Sequence, residues 1–383
     1  MSAGIERVLD EKRVVVCLGP GGAGKTTVSA VIALQGVVMG KNTLALTIDP
    51  SRRLATSMGM DAHGGGNNVT TLKSERLEAA GIAPNGTLDV MLLDVKSTFD
   101  DLIARLASSP GARDDILQND YYRTIADSLS GSHEYMAIEA LLAAYEEGGY
   151  DLIVVDTPPS RHFLDFLSAP KRLIELLDAP GLRLLARSER LAGSLSFGIT
   201  KLWSNLALRA IERVVGVNVL RDVWNFFMDI ECINDPLKER AERAFGVLQS
   251  DESVFFLVTR PDEPSLEDAV LLLTGLSGDG YDVGGVVVNR LLMEGAGKGG
   301  ELSAALGVDE PSVAPDLVSP PMARKIGQCR AEYRQKCASE KEAVRKLSAD
   351  IGREGLVLPL PELDREVCDI EGLSIMREIL FSA

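Results

Sequence analysis

The chain has 383 residues, of which 45% are hydrophobic, and a formal net charge of −16 at pH 7. This acidic balance disfavours a nucleic-acid partner and wide contact with anionic lipid, because both need a basic surface. The length fits one large domain or two fused ones. No apolar run resembles a signal peptide or is long enough to span a bilayer, so no transmembrane segment is expected. The five cysteines are scattered and odd in number, which indicates reduced thiols and a cytoplasmic location.

The first predicted strand, Arg13–Leu18, leads into a glycine-rich segment that reads GPGGAGKT at Gly19–Thr26. A helical pattern begins at Thr27. Strand, glycine loop, lysine, hydroxyl and helix are together the parts of a phosphate-binding P-loop. Its main-chain N–H groups would cradle phosphates, Lys25 would reach the β- and γ-phosphates, and the Thr26 hydroxyl would ligate Mg²⁺. The candidate nucleotide-binding residues here are Gly21, Gly22, Ala23, Gly24, Lys25, Thr26 and Thr27.

Further short apolar runs alternate with helical patterns along the chain, as they do in parallel sheets that helices cover on both faces. We therefore predict an α/β fold, with a mostly parallel P-loop NTPase sheet and helices on both of its faces. The later predicted strands are Thr43–Ile48, Leu88–Leu93, Leu152–Val155, Val254–Val258, Val283–Val288 and Gly355–Leu358.

One long segment breaks this alternation. From about Phe163 to Leu248 no strand pattern is evident, and leucines, aromatics and arginines recur at helical spacing. We predict an inserted helical subdomain at 163–250, between the two parts of an ATPase core at 1–162 and 251–383. Most of its apolar side chains are expected to pack as core. The segment Gly193–Phe227 carries both tryptophans of the chain, and an apolar surface there would suit a protein client.

Two aspartates follow predicted strands, at the sheet edge where α/β proteins bind their ligands. Asp49 begins the segment DPSRRL, where it would position a water near the γ-phosphate, cap the next helix, or do both. Asp156 follows four apolar residues, which is the Walker B arrangement, and would bind a Mg²⁺-ligating water. The candidate metal-site residues are therefore Thr26, Asp49 and Asp156.

With these motifs the chain resembles the arsenite-pump ATPase family, which includes the ATPase that delivers tail-anchored membrane proteins. The P-loop, the TIDP segment that contains Asp49 and the DTPP segment that begins at Asp156 occur in the family's order and spacing. The resemblance implies that Asp49 is the water-orienting residue of switch I and that Asp156 belongs to switch II. The residues that it places beside the adenine are Asn289, Pro359 and Pro361. The residues alone do not assign the base to Asn289, which they indicate as a turn residue that ends a strand.

The chain departs from the family's pattern at Pro20, where the P-loop usually has a lysine that crosses a dimer interface to the partner's phosphates. An arginine could replace that charge, because a guanidinium suits phosphate oxygens. Arg161 in switch II is the first candidate for this catalytic role, with Arg52 and Arg53 in switch I behind it. Surface ion pairs explain these arginines equally well, and a paralogous partner could supply the charge instead.

The cysteines also depart from the targeting ATPase, which clasps its dimer with zinc through a Cys-x-x-Cys pair. The corresponding region here holds Cys329 and Cys337 with seven residues between them. On a helix that spacing separates the two thiols by about 12 Å. A zinc ion needs each sulfur at about 2.3 Å, so no zinc clasp of this kind is expected.

The sequence thus predicts a cytoplasmic ATPase with ATP and Mg²⁺ as cofactors, whose switches couple nucleotide state to the geometry of a homodimer or of a heterodimer with a paralogue. The resemblance favours ATP over GTP, and Val288–Leu291 lacks the lysine and the acid of a guanine-binding motif. Delivery of a client protein, energising of an anion pump and regulation of another protein remain open as outputs. The alternative is a partition or septum-positioning ATPase that acts as a nucleotide-controlled membrane-binding module. Its membrane contact would be an amphipathic helix at Ile370–Phe381, although packing of that helix on the sheet is the favoured interpretation.

Overall fold

Eight strands form a single sheet. The computed structural model describes residues 2–48, 53–59, 67, 69–107, 109–118, 132–157, 167–171, 174–175, 235–293, 320–351 and 357–382. The strand order is β3-β4-β2-β5-β1-β6-β7-β8, and every pair is parallel except β3 with β4. The strands are β1 Val14–Leu18, β2 Thr43–Thr47, β3 Val69–Thr71, β4 Leu88–Leu92, β5 Leu152–Asp156, β6 Ser253–Thr259, β7 Val283–Leu291 and β8 Val357–Pro361.

Helices cover both faces of this sheet. In the described chain they are α1 Ser2–Glu11, α2 Lys25–Val38, α3 Arg53–Ser57, α4 Ser74–Ala79, α5 Val95–Leu106, α6 Pro110–Gln118, α7 Ser132–Glu147, α8 at 235–248, α9 Glu263–Gly278, α10 Pro320–Ile351 and α11 Ile370–Ser382. One apolar core joins the sheet to α1, α2 and α11, and a second joins its other face to α5, α7, α8 and α9. The predicted α/β class, with its mostly parallel sheet and helices on both faces, is confirmed.

The predicted strands agree with the observed ones because most are short apolar runs between two helical layers, and β1, β2, β5 and β6 are buried throughout. Two differences have physical causes. The short strand β3 was not predicted, since its three residues are exposed and pair only along the antiparallel edge of the sheet. The strand β8 begins two residues later than expected and contains Pro359 and Pro361, which an edge strand tolerates because one side of its backbone needs no partner.

The C-terminal helix α11 packs on the sheet layer. Leu373, Met376 and Leu380 are 0%, 4% and 5% exposed and belong to the core that contains α2. The apolar face that could have contacted a membrane is therefore covered by the protein itself, in line with the favoured interpretation of this segment. Among the described residues, none of the helices combines the length and the apolar character that crossing a bilayer requires.

Most of the predicted helical subdomain at 163–250 lies outside the described residues, including the segment Gly193–Phe227. Its described parts are helical at 167–171, 174–175 and in α8. Helix α8 is fixed to α7 by a buried ion pair in which Arg240 donates from Nε to Oε1 of Glu139 at 2.5 Å. A second pair joins Arg240 to Glu146 at 2.9 Å. The end of this segment is thus anchored to the helix that precedes β5.

Candidate functional site

The glycine loop links the end of β1 to the start of α2, where the sequence predicted a phosphate-binding turn. Gly19 adopts φ 147, and a Cβ there would lie 2.0 Å from the carbonyl oxygen of Val258 in β6. Gly24 adopts φ 97 immediately before the first turn of α2. Only glycine has both the backbone freedom and the lack of a side chain that these two positions require. The loop therefore closes tightly over the ends of β1 and β6.

Lys25 is held inside this loop. Its side chain emerges from the first turn of α2, and the residue is only 6% exposed. Nζ donates to the carbonyl oxygens of Gly19 at 2.9 Å and Pro20 at 3.1 Å. Phosphate oxygens are charged acceptors and would make hydrogen bonds roughly twice as strong as those to these two neutral carbonyls. The position of Lys25 therefore suits a triphosphate bound to the loop.

Asp156 ends β5 in the middle of the sheet and is fully buried. Its register partners are Cys17 of β1 and Thr47 of β2. The Thr47 hydroxyl donates to Oδ2 of Asp156 at 3.1 Å, and the main-chain N–H of Ile48 donates to its carbonyl oxygen at 3.1 Å. Asp156 is thus held between the ends of β1 and β2. The first of these strands leads to the glycine loop, and the second leads to Asp49.

The residue after Asp156 makes the matching contact on the other side. The Thr157 hydroxyl donates to the carbonyl oxygen of Cys17 at 2.7 Å, one residue before β1 ends. Burial raises the pKa of the Cys17 thiol to about 12, so that the thiol is a neutral part of this wall at physiological pH. Neither Thr47 nor Thr157 was singled out from the sequence. The sequence feature that could have indicated them is a threonine at the end of each strand, next to a predicted switch segment.

Asn289, near the end of β7, reaches the glycine loop. It is 5% exposed, and its Nδ2 donates to the carbonyl oxygen of Ala23 at 2.8 Å. Its Oδ1 accepts from the main-chain N–H of Arg290 at 2.9 Å. A Cβ on Gly24 would lie 2.2 Å from Nδ2 of Asn289. The residue predicted to contact adenine is therefore packed directly against the loop predicted to contact phosphate.

A cavity of about 900 Å³ joins these parts. Its wall includes the glycine loop and α2 on one side, Asn289 and Arg290 at the end of β7, and the segment that follows β8. The lining residues are Gly22, Gly24, Lys25, Thr26, Thr27, Thr56, Ser57, Thr157, Asn289, Arg290, Pro361, Glu362, Leu363, Asp364, Arg365, Glu366, Val367, Cys368 and Met376. Of the two prolines predicted to lie beside the base, Pro361 lines the cavity. Pro359 lies within β8, paired with Val288.

The remaining predicted site residues divide into two groups. Gly21 and Ala23 belong to the glycine loop without lining the cavity. Asp49 and Arg161, together with Arg52, lie outside the described residues. Within the part of the chain that the structure describes, no three His, Cys, Asp or Glu side chains converge as metal ligands.

Comparison with known proteins identifies the family of this chain. The family model described as anion-transporting ATPase matches residues 12–305. A relative named "Putative arsenical pump-driving ATPase 2", from Aquifex aeolicus, is 26% identical over 286 residues, which cover 74% of this chain and 81% of the relative. ATPase get3 of Aspergillus terreus is 28% identical over 179 residues, and ATPase GET3 of Ajellomyces dermatitidis is 29% identical over 176 residues. The chain spans about half the length of these two relatives, at 49% and 48%.

Proposed function

The chain belongs to the anion-transporting ATPase family and is an ATP hydrolase, and we propose that it depends on Mg²⁺ and uses nucleotide binding and hydrolysis to change the geometry of a dimer or of a partner complex. The dimer would be formed by two copies of this chain or by this chain and a paralogue. Client-protein delivery and anion-pump energising are the two outputs in keeping with the names of its relatives.

The observation that carries this proposal is the set of contacts at Asp156. The segment that leaves β2 toward Asp49 begins with Thr47 and Ile48, and both donate to Asp156. The segment that leaves β5 begins with Thr157, which donates to Cys17 just before the glycine loop. Both predicted switches therefore start from hydrogen bonds that meet beside the phosphate-binding loop. A change at the terminal phosphate would be transmitted to both segments together.

The residues present fit a nucleotide with Mg²⁺. Lys25 would exchange the carbonyl oxygens of Gly19 and Pro20 for phosphate oxygens, while the loop N–H groups and the N-terminus of α2 bind the remaining negative charge. Thr26 and Asp156 would hold the metal, directly or through water. Bound Mg²⁺ supplies a Lewis acid that neutralises charge on the phosphate oxygens. Asp49 would orient the attacking water, and Arg161 would stabilise the charge that develops in the transition state.

Residues 163–250 are proposed to form the helical subdomain that responds to these switches. Its end is anchored through α8, because Arg240 forms ion pairs with Glu139 and Glu146 of α7, the helix that leads into β5. The partition or septum-positioning alternative is not favoured by any observation. The C-terminal helix on which that alternative depended buries Leu373, Met376 and Leu380 in the core.

The proposal is tested by steady-state ATP hydrolysis with Mg²⁺ and with excess EDTA. We expect turnover only with Mg²⁺, and a large loss of ATP affinity in Lys25→Ala because a contact to the phosphates is removed. Lys41→Ala is the matched control, since Nζ of Lys41 donates to the carbonyl oxygens of Leu9 and Asp10, outside the residues that line the cavity. Equal ATP affinity in the two lysine variants, or full turnover in EDTA, would contradict the proposal.

The coupling is tested separately by hydrogen exchange of residues 163–250. The comparison uses Asp49→Asn protein with ATP against the same protein with ADP, since this variant should bind ATP without consuming it. We expect a difference in amide protection between the two nucleotides within this segment. Identical protection at saturating nucleotide would leave an ATPase without the proposed conformational output.

A further inference from the structure

Arg290 supports an inference that rests on the proposed function and deepens it. We propose that Arg290 is a base-binding residue, whose guanidinium covers one face of the nucleobase of ATP. The resemblance placed the base near Asn289, Pro359 and Pro361, and gave no role to the residue after Asn289. Four observations support the assignment.

The first is the direction in which a bound nucleotide must extend. On one side of β1 lies β5, which ends at Asp156 and is followed by Thr157, at the proposed metal end of the site. On the other side lie β6, β7 and β8 in that order. With neighbouring strands about 4.8 Å apart, β7 lies roughly 10 Å from β1, the strand that leads into the glycine loop. A triphosphate on the loop, with its terminal phosphate toward Asp156, therefore directs its sugar and base toward β7 and β8.

The second is the charge of the cavity wall at that end. Beyond β8 the wall includes the carboxylates of Glu362, Asp364 and Glu366. Its other arginine, Arg365, already forms ion pairs with Asp369 at 3.8 Å and with Glu371 at 3.5 Å. Three carboxylates repel phosphate, so this end of the cavity suits the uncharged part of a nucleotide. The acidic wall thus indicates the same orientation as the strand order.

The third is the backbone of Arg290. Among the described residues it is the non-glycine position with a left-handed backbone, at φ 60. The pairing register between β7 and β8 shifts between Val288 and Leu291, and the Arg290 N–H is held by Oδ1 of Asn289. Irregularities of this kind in a strand re-aim a side chain and occur next to functional sites. Here the irregularity presents the arginine at the cavity, although glycine or asparagine would fit the backbone with less strain.

The fourth is the chemistry of the side chain. Arg290 is exposed and lines the cavity, and in the described part of the chain its guanidinium forms no hydrogen bond or ion pair. A guanidinium is planar and weakly hydrated, and it stacks on aromatic faces. Every nucleobase has such a face. An arginine held at the base end of a nucleotide cavity therefore has a fitting ligand there.

The test compares the dissociation constants of ATP and of inorganic tripolyphosphate, which has the phosphates without the base. Arg290→Ala should weaken ATP binding about 3- to 30-fold, the range expected for a cation stacked on an aromatic face. It should leave tripolyphosphate binding unchanged. Arg260→Ala is the matched control: Arg260 is an exposed arginine just beyond the neighbouring strand β6, paired with Asp262 at 3.6 Å and outside the cavity lining. It should change neither constant.

A second variant separates the side chain from the backbone. Arg290→Gly accepts φ 60 without strain and should lose as much ATP affinity as Arg290→Ala. The assignment is overturned if ATP and tripolyphosphate weaken equally, which indicates a phosphate contact, or if neither weakens. It is also overturned if only the alanine variant loses affinity, which indicates a backbone effect. Failure of the proposed function looks different, because the unaltered protein would then bind neither ATP nor tripolyphosphate.

Discussion

Asn289 and Ala23 lie 266 positions apart in the chain, and a 2.8 Å hydrogen bond from Nδ2 of Asn289 to the carbonyl oxygen of Ala23 joins them. This bond ties the end of β7 to the glycine loop across the intervening strand β6. The proposed phosphate end and the proposed base end of the cavity are therefore parts of one connected structure. Loss of the bond should affect both the stability of the fold and the binding of nucleotide.

Asn289→Ala should lower the free energy of unfolding by about 1–3 kcal/mol, because a buried carbonyl loses its donor. Urea denaturation without nucleotide measures this loss. The control is Asn85→Ala, which removes the same kind of bond, from Nδ2 to the carbonyl oxygen of Val38 at 2.9 Å, at an exposed position. That variant should lose clearly less stability. Equal losses of unfolding free energy in the two variants would show that the buried contact to Ala23 stabilises the fold no more than an exposed one.

Gly24 and Gly22 offer a second test of the same packing. Both have left-handed backbones, at φ 97 and φ 77, so alanine at either position costs about 1–2 kcal/mol in strain. Only at Gly24 would the new methyl carbon lie 2.2 Å from Asn289, whereas at Gly22 it would meet open space. Gly24→Ala should therefore be the more destabilising of the two.

The two effects are separated by a double-mutant cycle in urea denaturation. Combining Gly24→Ala with Asn289→Ala should recover part of the loss, since the clashing side chain is gone, whereas combining Gly22→Ala with Asn289→Ala should be additive. Neighbouring residues of this kind usually show coupling energies of about 0.5–3 kcal/mol. Additive losses for the Gly24 pair would mean that the loop and Asn289 are energetically independent.

Much of the fold could be predicted because its signals are local. A β-branched run, the spacing GPGGAGKT and an acid after four apolar residues each fix an element within ten residues of sequence. Packing of the C-terminal helix on the sheet was the favoured interpretation of that segment, and Leu373, Met376 and Leu380 are buried there. The edge strand β3 was missed, because three exposed residues carry no burial pattern.

The parts of the site that were not predicted depend on contacts between distant segments. The bond from Asn289 to Ala23 follows from the order of β1, β6 and β7 in the sheet, which no local pattern contains. The contact of Thr47 with Asp156 likewise depends on β2 and β5 being neighbours. The φ of 60 at Arg290 arises from irregular pairing with β8 and has no glycine or asparagine to signal it.

The thiols should differ sharply in reactivity. Burial raises the pKa of Cys17 to about 12, so its reactive thiolate form is scarce at pH 8. Cys329 and Cys368 are exposed. Brief treatment of the native protein with iodoacetamide at pH 8, followed by peptide mass spectrometry, should modify these two cysteines and spare Cys17. After denaturation in urea Cys17 should react as readily as the others. Equal modification of Cys17 and Cys368 in the native protein would contradict its burial.

The next prediction concerns whether Arg161 supplies the positive charge that Pro20 lacks. A cation that stabilises the transferring phosphoryl group raises hydrolysis rates by about 10³–10⁵ in related nucleotide hydrolases. If Arg161 has this role, Arg161→Ala should depress kcat far more than ATP affinity, since the contact strengthens only as charge develops. The expected loss persists at saturating ATP. Fast turnover that is indifferent to the substitution would eliminate Arg161.

A charge supplied by a paralogous partner predicts a different pattern. The unaltered chain would then hydrolyse ATP slowly on its own, and addition of the partner would accelerate it. Comparison of single-chain turnover in the unaltered protein and in Arg161→Ala distinguishes the two sources before any partner is identified.

The central claim is that the nucleotide site of this chain hydrolyses ATP by means of its two predicted switches. Single-turnover hydrolysis by Asp49→Asn tests this claim most directly. Asp49 follows the Ile48 N–H that donates to Asp156, and its proposed task is to orient water only in the transition state. We expect ATP to bind to this variant with an affinity close to that of the unaltered protein, and cleavage of the bound ATP to be nearly abolished. Cleavage at the rate of the unaltered protein would contradict the account.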